Sequence, residues 1–278
     1  MDKTIFKELN SFVPNLAYDS TISISVAAHG GFHQWGTGTL LRIADSSFIV
    51  TAAHVVSQVY YNKLQLYTPR NGSFVHLYGD WAYLTDSDLF DVAILRLHPD
   101  IVSNLGTASY IGLYNISLNN ELSKGIFCLC GYPARLSKPS TPTEPLMTTK
   151  PLQVMSYMYT GDTDNIANYN AKHHFLLSSK TGFLDIDGEP MKLIGKDEKF
   201  LNLPRDLGGI SGCSIWQIGT SEIPLEQWNS KRAKIVGIQT SVFPENKVIK
   251  VTRWSAVASL LYEAYPDIHS AMSLWYSD

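Results

Sequence analysis

The chain has 278 residues, 45% of them hydrophobic and 17% charged, which is the profile of a globular protein with enough apolar material for a sizeable core. A formal net charge of −3, from 22 basic and 25 acidic side chains, argues against a nucleic-acid surface, which needs a basic excess or stripe. No apolar run approaches the ~18 residues of a membrane span, and Lys7, Glu8 and Asn10 interrupt the start of the chain, so neither a membrane segment nor a secretory signal is expected.

In chain order, residues up to Ser11 allow a short helix, and strand signals then dominate. Residues 21–27 (TISISVA) are β-branched and partly alternating, and 38–43 and 47–51 share that character. Residues 63–68 and 74–78 flank Pro69-Arg70-Asn71-Gly72, whose Asn-Gly pair is a strong hairpin signal. Further strands are predicted at 92–97, 125–131, 175–179, 213–218, 233–240 and 248–252. Residues 105–124 form a Gly/Ser/Asn-rich divide between two β-rich halves, and 137–149 read as an exposed Pro/Thr/Ser loop. Residues 160–205 are polar and carry no clear period. Residues 254–265 show apolar side chains at helical spacing, with Pro266 as the stop.

Many short strands with turns between them predict an all-β architecture of sandwiches or barrels. The three cysteines, Cys128, Cys130 and Cys213, are an odd set with no CxxC spacing, so reduced thiols in a cytoplasmic setting are expected rather than disulfides or zinc. Cys128 and Cys130 share one face of a strand and read as core. His173 and His174 are adjacent, and adjacent strand residues face opposite ways, so no metal site is expected there.

Three segments carry chemistry-bearing residues. Gly36-Thr37-Gly38-Thr39-Leu40-Leu41 precedes Phe48-Ile49-Val50-Thr51-Ala52-Ala53-His54, which puts His54 at the end of a buried strand. Asp91 opens the apolar run Val92-Ala93-Ile94-Leu95, with Asp86 and Asp88 as competing carboxylates. Ser211 lies in Gly208-Gly209-Ile210-Ser211-Gly212-Cys213, a turn in which the N–H groups of Gly209 and Ser211 can converge on one point. In the order His, Asp, Ser these segments resemble the boxes of the trypsin-like (chymotrypsin-fold) serine proteases, and most of all their disulfide-free bacterial branch. The likeness spans roughly residues 21–255. Its order differs from that of subtilisins and α/β-hydrolases, and Cys213 replaces the last glycine of a GxSxG elbow.

The resemblance implies two antiparallel six-stranded β-barrels packed side by side, with a C-terminal helix on the outside. It divides the chain into an extension (1–20), a first barrel with His54 and Asp91 (21–115), a second barrel with Ser211 and the oxyanion hole (116–253), and a helix and tail (254–278). It implies His54 as general base, Asp91 as its orienting carboxylate, Ser211 as nucleophile, and the N–H groups of Gly209 and Ser211 as oxyanion donors. Thr240 would place a hydroxyl near the aspartate, and residues Thr240, Ser241 and Val242 would pair with a peptide substrate. Counting back from the nucleophile puts Arg205 at the base of the specificity pocket, where it would favour acidic side chains, with Asp206 beside it and Val242 narrowing the space. Ile210 stands where digestive relatives carry an aspartate that binds a freshly cut N-terminus, so activation by such a cut is not expected.

The activity implied is peptide hydrolysis through an acyl-enzyme, with no cofactor or metal. The implied partners are a polypeptide substrate and a regulatory protein, in a bacterial defence or stress setting, with neither nucleic acid nor membrane. An esterase using the same groups and a catalytically silent peptide-binding module are the alternatives.

Overall fold

The computed structural model describes residues 11–28, 30–83, 90–118, 121–141, 147–179, 183–184 and 207–276. A four-residue helix, α1 (Leu16–Asp19), leads into the first sheet. That sheet comprises β1 (Thr21–Ala28), β2 (Gly31–Ile43), β3 (Ser46–Thr51), β4 (Leu66–Arg70), β5 (Ser73–Leu77), β6 (Trp81–Tyr83) and β7 (Ala93–Arg96). Its strand order is β5-β4-β1-β2-β3-β7-β6, and every pairing is antiparallel. The β4–β5 hairpin turns at Asn71 (φ 50°) and Gly72 (φ 77°), the two left-handed residues of a type I′ turn. Val75 and Leu77 at one end of the sheet meet Ala93 and Leu95 near the other in a single buried cluster, so the sheet curls around its core.

The second sheet comprises β8 (Gly125–Gly131), β9 (Leu152–Tyr157), β10 (His174–Ser178), β11 (Phe183–Leu184), β12 (Ser214–Thr220), β13 (Lys234–Phe243) and β14 (Val248–Arg253). The order is β10-β14-β13-β12-β8-β9-β11. Just past β9, Met158 bridges Leu177 of β10, and the Tyr159 N–H donates to the Leu176 carbonyl at 2.8 Å. Six strands therefore close into a ring, with two-residue β11 attached to β9. Short β6 is likewise an addition to six strands in the first sheet. Phe127, Leu129, Val154, Phe175, Leu177, Ile215, Ile249 and Val251 fill the second interior.

Four further helices complete the described fold: α2 (Ala53–Tyr61), α3 (Pro99–Leu105), α4 (Trp254–Ala264) and α5 (His269–Tyr276). The C-terminal helices lie outside both barrel interiors, and their buried face covers the seam between the barrels. Trp254, Val257, Leu261 and Met272 are fully buried in one cluster with Phe48, Val50 and Ile94 from the first sheet and Cys128, Cys130, Trp216 and Ile238 from the second. The physical reason is that both sheets turn apolar side chains outward at the seam, and those faces need a cover. Tyr265 packs on Phe48, and Arg96 pairs with Asp267, tying the tail to β7.

Leu261→Ala should therefore cost about 2–5 kcal/mol, because the cavity opens where both barrels and the helix meet. Exposed Ser259→Ala on the same helix should change stability by less than about 0.5 kcal/mol. Urea unfolding midpoints at constant slope would check the pair.

Candidate active site

The first barrel presents His54 and Asp91 together. Strand β3 ends at Thr51, Ala52 is extended, and His54 lies in the first turn of α2 rather than at the end of the strand. That first turn leaves main-chain N–H groups without partners, and Ala52 has no side chain to cap them. Asp91 supplies the missing acceptor. Its Oδ1 accepts the His54 main-chain N–H at 3.0 Å, and the carboxylate also meets the ring Nδ1 at 2.9 and 3.1 Å. An ionised carboxylate only accepts, so Nδ1 carries the proton and Nε2 keeps its lone pair. The Asp91 side chain is 15% exposed and that of His54 38%, so the acceptor is sheltered while the ring remains reachable.

Asp91 reaches this position through an uncommon backbone. Its φ is +46°, the left-handed region, which aspartate tolerates better than most residues at a cost of roughly 1 kcal/mol or more. The flanks hold it there. Val92 is buried in the seam, and Ala93 pairs with Thr51 in the β7–β3 register. The Phe90 carbonyl accepts the Thr252 hydroxyl of the second barrel at 2.8 Å, and the His173 ring stands edge-on against Phe90 at 4.6 Å. Burial, then the charge of Lys172, holds the His173 pKa below the ordinary range, which favours a neutral ring against Phe90. Buried Lys250 is also lowered by its burial, an effect that the Asp91 charge opposes.

The second barrel presents Ser211 on a loop that is sewn to both barrels. Gly209 and Gly212 both have φ of +95°. A side chain at Gly209 would stand 2.8 Å from the Ala134 nitrogen and the Tyr132 oxygen, and one at Gly212 would stand 2.1 Å from the Thr37 oxygen and the Thr51 hydroxyl. Only glycine fits either position. Three loop carbonyls are taken: Gly208 accepts from Ala134 N–H at 2.7 Å, Gly209 from the Thr37 hydroxyl at 2.7 Å, and Ser211 from Thr37 N–H at 2.8 Å. The Gly212 N–H donates to the Gln239 carbonyl at 2.9 Å. Among the described residues no acceptor takes the N–H of Gly209 or of Ser211. Two donors two residues apart thus stay open on a loop whose carbonyls are tied elsewhere.

The contact of Gly212 with Thr51 sets Ser211 beside the start of α2, which carries His54. The Ser211 hydroxyl and the His54 ring are not hydrogen-bonded to each other. Thr240 is buried, and its hydroxyl lies 3.4 Å from that of Thr252, not on Asp91; Thr252 is the hydroxyl that reaches the Asp91 segment. Ser241 and Val242 are half-buried and pair only with β14, because the β12 pairing stops at Ile238. Among the described residues, the other edge of 240–243 carries no strand. Arg205, Asp206, Asp86 and Asp88 lie outside the described residues. His174 accepts the Asn170 N–H at Nδ1 while His173 turns to Phe90, and no group of three metal-ligating side chains occurs among the described residues. The cysteines are free and buried, with 3.7 Å between the sulfurs of Cys128 and Cys130.

The chain has the two-barrel trypsin-like fold. No family model matches it, and no curated protein does. Among solved structures it is similar to a Glu endopeptidase in complex with MPD, at 13% identity and a TM-score of 0.49, covering 92% of this chain and 94% of that one. It is also similar to the thermostable serine protease AL20 from an extremophilic microorganism, at 10% identity and a TM-score of 0.48, covering 91% and 99%. A third is the secreted serine protease VesC from Vibrio cholerae, at 15% identity and a TM-score of 0.48, covering 85% of this chain and 44% of that one.

Sequence reasoning missed three side chains that position the site: Thr252, Thr37 and Gln34. The Thr37 hydroxyl donates to the Gly209 carbonyl and accepts the Tyr132 N–H at 3.0 Å, while Gln34 Nε2 donates to the Tyr132 carbonyl at 2.9 Å. A hydroxyl lying between Gly36 and Gly38 was the available signal. Thr37→Val should release the Gly209 carbonyl and lower kcat by about 10²-fold with little change in KM, the loss expected when one oxyanion donor is displaced. Thr37→Ser should recover most of that rate. Steady-state kinetics on an activated ester would check both, and a loss that serine does not recover would make Thr37 a packing residue only.

Proposed function

We propose that this chain is a serine endopeptidase that uses His54, Asp91 and Ser211. The observation that carries the reading is the Asp91 carboxylate on His54 Nδ1, set across a loop in which the N–H groups of Gly209 and Ser211 are unused. In the proposed reaction the Ser211 hydroxyl attacks the scissile carbonyl carbon, and its proton passes to His54 Nε2. The carbonyl oxygen becomes an oxyanion held by the two N–H groups. The carbon–nitrogen bond breaks as His54 returns the proton to the leaving amine. Water then attacks the acyl-enzyme by the same route and regenerates Ser211.

The open edge at 240–243 supports a peptide rather than a small ester as substrate, because an extended peptide can add to it as a strand. The same groups would hydrolyse an ester, so the edge is the feature that favours an endopeptidase. A silent binding module would have no need of the left-handed aspartate or the glycine-only loop. Ile210 is buried among apolar side chains and offers no partner to a new N-terminal ammonium, which supports activity without such a cut. No described helix is long and apolar enough to cross a membrane, and three free thiols support a reducing compartment.

Ser211→Ala should abolish labelling by a fluorophosphonate and lower protein hydrolysis by more than about 10³-fold while the fold is kept. Full hydrolysis by that variant would reject the reading. Asp91→Asn keeps the left-handed backbone accessible but cannot hold the imidazole in its required tautomer, so kcat should fall by about 10⁴-fold near neutral pH. Asp88→Asn should be mild, and a larger loss there would reassign the carboxylate.

A further inference from the structure

Gln239 is fully buried in β13, and neither its Oε1 nor its Nε2 has a hydrogen-bond partner. Buried polar groups are nearly always paired, so an amide with both ends open calls for an account. The contrast within this chain is sharp. Gln34 is also buried, yet its amide serves Ser23, the Gly36 carbonyl at 2.6 Å and the Tyr132 carbonyl at 2.9 Å.

Gln239 is fixed against the nucleophile loop. Its main-chain carbonyl accepts the Gly212 N–H, and its own N–H donates to the Cys213 carbonyl, both at 2.9 Å. Its cross-strand partner in β14 is Val251. Paired residues in a sheet point to the same face, so the amide faces the interior that Val251 shares with Phe175, Leu177, Ile210 and Cys213. The open edge at 240–243 begins at the next residue. A peptide added to that edge would turn alternate side chains toward the face that carries this amide.

We propose that Gln239 reads the side chain before the cut and that the chain prefers to cut after a carboxamide, glutamine or asparagine; the proposal rests on the endopeptidase reading. The chemistry follows from the donor and acceptor count. A carboxylate would pair with Nε2 and leave Oε1 facing an anion. A cation would pair with Oε1 and leave Nε2 open, and an apolar side chain would leave both ends unpaired. A carboxamide sets a donor and an acceptor side by side, in the geometry that matches both ends of the glutamine amide at once. A site built to hydrogen-bond a substrate group discriminates strongly against analogues lacking it, because its own buried groups are then stranded.

The test is a peptide library profiled with the full chain, alongside Gln239→Met and Gln239→Glu, each preparation titrated with a fluorophosphonate. The wild-type kcat/KM for a glutamine or asparagine peptide should exceed that of the matching norleucine peptide by more than about tenfold. Gln239→Met should bring that ratio close to unity. Gln239→Glu, which removes both amide N–H donors and adds charge, should move the preference toward lysine and arginine, a gain that misfolding cannot imitate. The same profile in wild type and both variants would overturn the proposal and leave a glutamine that only fills space or holds a buried water. A wild-type preference for acidic side chains would overturn it in favour of Arg205. Absence of fluorophosphonate labelling in the wild type would remove the endopeptidase reading itself, whereas labelling without a carboxamide preference would remove this proposal alone.

Discussion

The site depends on one carboxylate that serves two donors of the same residue. Asp91 accepts the main-chain N–H of His54 and faces its ring Nδ1. The first bond closes an open helix terminus, and the second orients an imidazole. Because both donors belong to His54, one carboxylate holds the ring and the start of α2 together. The short helix α2 is thus anchored by the same contact that sets the tautomer. The left-handed φ of Asp91 is the geometric consequence, since the chain must fold back from β7 to bring the carboxylate under the helix.

Holding two barrels in register is the second requirement, and the chain meets it twice with different chemistry. At the site the link is polar and made at close range. Thr37 binds the Gly209 and Ser211 carbonyls, Gly212 sits against Thr51, and Thr252 reaches over to Phe90. Away from the site the link is apolar, a seam of outward-facing strand residues covered by α4 and α5. Apolar packing supplies most of the area, at roughly 25 cal/mol per Å² removed from water, but has little directional preference. The short hydrogen bonds supply direction. A domain pair built on the seam alone would leave the distance between Ser211 and His54 loosely set.

Much of this was legible in the residues. The strands at 21–27, 125–131 and 248–252 were found with nearly their observed bounds, because the first and last are rich in β-branched residues, the middle one is an apolar run between two glycines, and each pairs on both sides. The Asn71-Gly72 hairpin and the helix from Trp254 were clear for similar local reasons. Strand β2 runs from Gly31, seven residues before the predicted start, because pairing with β1 overrides two glycines that weaken its local signal. Helix α2 was missed because its opening, Ala52-Ala53-His54-Val55-Val56, continues an apolar strand pattern; the helical turn is imposed by Asp91, thirty-seven residues further on. Strand β9 was missed because it follows a Pro/Thr-rich loop and depends on β8 for its register. Of the site, the three proposed catalytic residues could be read from short motifs, and Thr37 left a hydroxyl between two glycines as its signal, whereas Thr252 and Gln34 left none. Their roles exist only across the gap between barrels, and a single sequence holds no record of that gap.

The polar groups left without partners have a spatial pattern of their own. The N–H groups of Gly209 and Ser211, the amide of Gln239 and the open edge of 240–243 all lie within a few residues of one loop and one strand. Elsewhere an unpartnered group such as the Trp254 indole N–H stands alone in the seam. An isolated lapse costs stability and implies nothing more. A cluster containing several donors, an acceptor and a strand edge is what the proposed reading of an extended peptide with a polar side chain draws on.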